Sequence, residues 1–143
     1  MNSTLENFGY PDTLIQSYSH WSILLRPQQV TAGSLILGAH SKATQFSELS
    51  ASAFTELHEI IPNIERALTR CFNYDKINYL MLMMVDPHVH FHVIPRYADS
   101  KELYGTKFVD QGWPGPPTLS TDTILSGEQR GELLRLIRAE LEI

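Results

Sequence analysis

The sequence predicts an α+β fold: an antiparallel sheet of about five strands, one main helix packed on a face, and a second helix at the C-terminal end. Three observations predict it. Short apolar stretches at 20–25, 34–37, 76–85 and 88–94 are separated by turns rich in Pro, Gly and Asp. The connection between the first two is a loop, too short for a helical crossover, which favours antiparallel pairing. From Ser50, and again after Ser126, apolar residues recur at helical spacing. A chain of 143 residues is one domain's length, with its core at about 14–97 and a C-terminal loop and helix at 98–143.

Residues 1–19 are polar and turn-rich, with Phe8-Gly9-Tyr10-Pro11 as the first fixed feature and a short amphipathic piece at Thr13-Leu14-Ile15. His20 to Leu25 reads as a strand broken at Arg26-Pro27; 28–33 loops into a second strand, Ser34 to Leu37, closed by Gly38. Phe54, Leu57, Ile61, Ile64, Leu68 and Cys71 form the apolar stripe of the main helix, capped by Ser50 or Ser52 and ended at Asn73. Pro62 inside it predicts a kink or a division into two pieces. Lys76 to Val85, apolar on both faces, reads as a strand that is central or covered by a partner subunit, reversing tightly at Asp86-Pro87. The aromatic segment from Tyr97 to Pro117 reads as a loop, in which Trp113 anchors to the core or a partner. Ser126 and Gln129 make a capping box for the last helix, with Leu133, Leu134, Ile137 and Leu141 turned inward.

Three of the six histidines lie in Asp86-Pro87-His88-Val89-His90-Phe91-His92-Val93-Ile94-Pro95-Arg96. In an extended chain, His88, His90 and His92 line one face while Val89, Phe91 and Val93 line the other, toward the main helix. Pro87 and Pro95 bound the run, predicting a strand of about seven or eight residues. The Cα atoms of His88 and His92 would lie about 13 Å apart, poor spacing for one shared ion, so no metal and no cofactor is expected. Imidazole is nucleophilic and titrates near neutrality, and a neighbour can hold one nitrogen while the other attacks.

Composition narrows the function classes. Apolar residues make up 43% and charged residues 19%, with no apolar run long enough to span a bilayer and no charged-then-apolar leader, which predicts a cytoplasmic protein without membrane contact. The lone Cys71 fits a reducing compartment. A net charge of -5 gives no general attraction for nucleic acid.

The run His88-Val89-His90-Phe91-His92-Val93-Ile94, followed by Pro95-Arg96, resembles the signature of the histidine triad (HIT) family, with a match sharp at 86–97 and patchy elsewhere over 14–97. The resemblance implies a divergent, bacterial-type nucleotide hydrolase or transferase, such as a diadenosine polyphosphate hydrolase or nucleoside phosphoramidase. It implies that His90 attacks the α-phosphorus to give a covalent nucleotidyl-histidine while His88 and His92 orient it and bind phosphate, and that the protein is a homodimer. Arg26 falls where the family has a ribose-binding Asn or Asp, and is read either as gripping phosphate with Arg96 or as a solvated strand-end arginine. In the family the C-terminal segment shapes substrate choice, which would have Trp113 stack on a base. Ser34 stands where a histidine would follow Gly33, His40 lies near another pocket histidine, and Asn78 or Ser34 would replace the polar residue of a Gly- and Gln-containing loop that here is reduced to Asp86-Pro87. Two alternatives stay open: a nucleotide- or partner-binding domain with little turnover, and a metal-dependent enzyme using the strand histidines.

Overall fold

The computed structural model describes residues 1–121, 123 and 125–141. The chain runs α1 (Ser3–Asn7), β1 (Leu14–Ser17), β2 (Trp21–Leu25), β3 (Leu35–Ala39), a single 3-10 turn (Phe46–Glu48), α2 (Ala51–Phe72), β4 (Lys76–Leu80), β5 (His90–Arg96), β6 (Lys101–Leu103), β7 (Thr106–Phe108) and α3 (Gly127–Leu141). The fold is α+β. Five strands form an antiparallel sheet in the order β1-β2-β3-β5-β4, and β6 and β7 form a separate hairpin.

Alternation along the strands divides the sheet into two unlike faces. Trp21, Ile23 and Leu25 of β2, Leu35 and Leu37 of β3 and Val93 of β5 are buried in one core with Leu57, Ile60, Ile64 and Leu68 of α2. Each such side chain contributes about 1.5–3 kcal/mol of hydrophobic stabilisation. On the opposite face Leu24 and Ile36 meet Leu5 of α1, with Phe8, Tyr10 and Leu14 around them. The histidines belong to this second face, turned away from α2.

Helix α2 begins where the sequence predicts: Ser50 Oγ accepts the Ala53 N–H at 3.2 Å. It ends at Asn73, which takes the left-handed conformation, φ 50°, and donates its N–H to the Thr69 carbonyl. Pro62 does not divide it, because Pro62 sits on the exposed side, where one lost intrahelical bond is met by solvent. The buried face is Ala53, Leu57, Ile60, Ile64, Ala67, Leu68 and Phe72, rotated from the predicted stripe: Phe54 is exposed, and Ile61 and Cys71 lie at the margin. Helix α3 carries the capping box at Ser126 and Gln129, and buries Leu133, Ile137 and Leu141, with Leu134 half-buried.

Three predicted boundaries are corrected. β4 stops at Leu80, and residues 81–89 make the connection to β5, so the reversal is longer than Asp86-Pro87. His88 donates its N–H to Thr4 Oγ1 and Val89 donates to the Ala43 carbonyl, so this part of the chain is bound elsewhere and residues 81–85 have no ladder to join among the described residues. Met84 and Val85 are accordingly 81% and 92% exposed. β4 is an edge strand, not a central one. Pro95 lies inside β5, opposite Ile77. Its carbonyl faces the β3 side, accepting from Thr31 Oγ1 at 2.6 Å, and N and O of one strand residue share a side; β3 has already ended its pairing at Val93, so the missing N–H breaks no ladder bond. The approach segment contains α1 and β1, and the Tyr97–Pro117 loop contains β6 and β7.

Candidate functional site

β5 places His90 and His92 on the face opposite α2, with ring centroids 5.1 Å apart in an edge arrangement. His88 precedes the strand, so the three histidines are not in one extended register. His88 nevertheless joins the cluster through its backbone. Its carbonyl lies 2.7 Å from His90 Nδ1, and since a carbonyl only accepts, the neutral form of His90 carries its proton on Nδ1 and its lone pair on Nε2. The ring nitrogen Nδ1 of His88 pairs with Thr4 Oγ1 at 2.9 Å.

Arg26 follows β2 in the same alternation as Ser22 and Leu24 and so reaches this face. It is buried, not a solvated strand-end arginine, and its Nε donates to His92 Nδ1 over a long 3.4 Å while Nη1 donates to the Gln28 carbonyl at 2.6 Å. Guanidinium cannot accept, so the proton of His92 is on Nε2. Burial, then the Arg26 charge, then His90, push the His92 imidazole down to about 4, against a smaller opposing pull from Asp86. At neutral pH His92 is therefore a neutral hydrogen-bond donor through Nε2, on the ring that neighbours His90.

Phe8 packs against both rings, its centroid 5.6 Å from that of His90 in a tilted arrangement and 5.7 Å from that of His92 in an edge arrangement. His90 is 1% exposed and His92 7%. Beside them a cavity of about 290 Å³ is lined by Asn7, Phe8, Arg26, Pro27, Gln28 and Asp86. Sequence reasoning missed Phe8 and Thr4. Phe8-Gly9-Tyr10-Pro11 marked a fixed turn there, but nothing in its spacing says that the chain folds back over the histidines.

Further along the same face, Arg96 stands opposite Lys76 and next to Asn78. Its guanidinium makes a two-pronged bond to Asp110, 2.7 and 3.0 Å, and donates to Asn78 Oδ1 at 2.7 Å. Burial pushes the Asp110 carboxyl up, but hydrogen bonds from Arg96, Tyr97 and Gly112, with the Arg96 charge, outweigh it and hold the carboxyl below its usual range. This network floors a cleft of about 480 Å³ walled by Lys76, Trp113, Pro114, Gly115 and Pro116. The half-buried Trp113 thus faces an open space that can take a planar group.

Of the sequence-predicted site residues, Arg96 and Asn78 lie in this second cleft, and Ser34 and His40 stand outside both it and the histidine cluster. Ser34 is fully buried; its hydroxyl donates to the Thr31 carbonyl and accepts the Thr31 N–H, fastening the turn before β3. His40, at the end of β3, has Nδ1 against the Ser19 carbonyl and Nε2 against Ser22 Oγ, and burial lowers its pKa although the Ser19 bond opposes this. Among the described residues no group of three or more His, Cys, Asp or Glu side chains is placed to hold a metal ion, and no helix is long and apolar enough to cross a membrane.

Comparison with known proteins bears on this geometry. The family model described as HIT domain matches residues 10–99. A histidine triad protein from Marinobacter aquaeolei VT8 has a similar structure, at TM-score 0.77 and 19% identity, covering 99% of this chain and 95% of that one. A histidine triad protein from Bradyrhizobium japonicum gives 0.76 and 18% over 99% and 96%, and one from Sinorhizobium meliloti 1021 gives 0.73 and 21% over 99% and 93%. No curated protein matches the chain in sequence.

Proposed function

The chain belongs to the HIT domain family, and on that premise we propose that it is a nucleotide-binding protein that cleaves a phosphoanhydride or phosphoramidate bond at the α-phosphorus through His90. The observation that supports this most is the 2.7 Å contact between His90 Nδ1 and the His88 carbonyl, which in the neutral ring leaves the lone pair on Nε2 for attack. In the proposed step, Nε2 forms a bond to phosphorus as the P–O or P–N bond to the leaving group breaks, the bonding pair leaving with that group. His92 Nε2–H and Arg26 meet the charge that grows on the phosphoryl oxygens, and His88 orients His90. Water then attacks the nucleotidyl-histidine, loses its proton to solvent and returns the electron pair to Nε2.

The cleft under Trp113 is the proposed seat for a nucleobase, with Arg96 and Asn78 as its floor and Lys76 at its rim. Adenosine phosphoramidate and diadenosine polyphosphates are the substrates to try first. A second copy of the chain is proposed to cover β4, whose outer edge pairs with no described strand of the single chain. The near-complete burial of His90 favours a second reading, a HIT domain that holds nucleotides with little turnover.

The test is AMP release from these substrates in the presence of a chelator. The unaltered chain should release AMP, and His90→Ala should lose about a thousandfold or more of the rate. Calorimetric binding without AMP release would favour the second reading. Activity lost in chelator and restored by zinc would overturn the metal-free step.

A further inference from the structure

We propose that residues 2–8 form a gate over the triad, closed in this conformation, which must swing away before a phosphorus atom can reach His90; the inference rests on the proposed role of His90. A nucleophile that is 1% exposed cannot receive a substrate, and one short segment lies against the triad. Phe8 packs against the His90 and His92 rings, Thr4 engages the Nδ1 and backbone N–H of His88, and Leu5, fully buried, packs on Gly38.

The sheet is built to seat this segment. A Cβ on Gly38 would lie 2.3 Å from Leu5 Cδ2, so the position has room for Leu5 only as glycine. Gly9 provides the return of the chain: its φ of +94° is open to glycine and strained for other residues, and it sets α1 back across the sheet.

The attachments suit a part that opens. The first sheet strand begins only at Leu14, so among the described residues no ladder bond holds residues 2–8. Their side-chain ties to the rest of the described chain are few: Asn2 Nδ2 to the Ala39 and Ser41 carbonyls, Thr4 to His88, and an exposed Asn7–Asp86 bond at 3.0 Å. Asn2, Thr4 and Leu5 are the buried anchors, and a short segment held by side chains without ladder bonds opens at lower cost than the fold as a whole. The cavity beside the triad ends at Phe8 and Arg26 without reaching His90, as a closed entrance would. Opening would join that cavity to the nucleophile.

Carbethoxylation by diethyl pyrocarbonate, which needs an accessible neutral imidazole and no catalysis, reads the gate directly; fragment mass spectrometry separates His88, His90 and His92. At pH 7 in the unaltered chain, His90 should react about tenfold or more slower than the exposed His58. Phe8→Ala, at a half-buried position on the margin of the Leu5, Leu24 and Ile36 cluster, and Leu5→Ala, which removes the apolar anchor, should each raise the His90 rate, Leu5→Ala by about tenfold or more. Circular dichroism checks that both remain folded. If His90 reacts as fast as His58 in the unaltered chain, or neither folded variant changes its rate, the gate is wrong. If the rate rises while adenosine phosphoramidate still leaves no adduct on His90, the gate stands and the catalytic reading falls.

Discussion

Replacing Asp110 by Asn keeps the shape of a buried network and removes its negative charge. Arg96 and Asp110 are 4% and 1% exposed, and the carboxylate accepts from Arg96 Nε and Nη2 and from the Tyr97 and Gly112 N–H groups. The amide of the Asp110→Asn variant would retain one acceptor oxygen where two are used, and would leave the Arg96 charge buried without a countercharge in contact. Breaking a buried pair from one side costs about 3 kcal/mol or somewhat more. For a chain of this length that is a drop of about 10 °C in Tm. The pH dependence gives a second check. The Asp110 carboxyl is held below its unfolded value, so its contribution is fully present above the unfolded pKa, about 4, and is lost as pH falls through the folded one. The gap between parent and variant should therefore be widest at pH 7 and narrow in acid. Thermal melts by circular dichroism at pH 7 and in steps below pH 4 measure it. A gap under about 3 °C at pH 7, or one that widens in acid, would refute the reasoning. The double variant Arg96→Met with Asp110→Leu should cost less than the single one, because no charge is left unpaired.

Two further outcomes follow from the geometry. His92, with its pKa pushed down to about 4, should show no titration between about pH 5 and 8 in its ring NMR shifts, and it should contribute stability above its unfolded pKa of about 6.5 that declines as pH falls toward 4; an inflection near 6.5 would contradict the buried contact with Arg26. Tyr104 and Gly105, at φ 50° and 78°, form the two-residue turn between β6 and β7, and Asn fits the first position better than Tyr. Since Tyr104 is 42% exposed, Tyr104→Asn should gain about 0.5–1 kcal/mol, a Tm rise of about 2 °C.

Long, strongly periodic elements were legible because burial imposes their pattern. The Ser50 and Asn73 caps of α2, the Ser126–Gln129 box of α3 and the separation of His90 and His92 from the Val93 face all follow from local chemistry or alternation. What could not be read depends on contacts between distant residues. The apolar run 81–85 has strand composition, yet whether it is a strand depends on a partner, and the partner residues near His88 are held by Thr4 and Ala43. Pro95 reads as a boundary unless one knows that β3 has already stopped. Helix α1 has five residues, too few to show a period, and its place over the triad depends on Leu5 meeting Gly38. Within the candidate site, the type of Arg26 was informative and its burial was not foreseeable, since an arginine beside Pro27 after a strand has the composition of an exposed end.

The most direct test of the central claim is intact-protein mass spectrometry after acid-free quenching with adenosine phosphoramidate, comparing the unaltered chain, the Leu5→Ala form, and His90→Gly in each. A single nucleotidyl adduct that forms where His90 is present, more heavily in the Leu5→Ala form, and disappears in both His90→Gly chains is the predicted result. An adduct that persists without His90, or product release with no adduct and no dependence on His90, would contradict it.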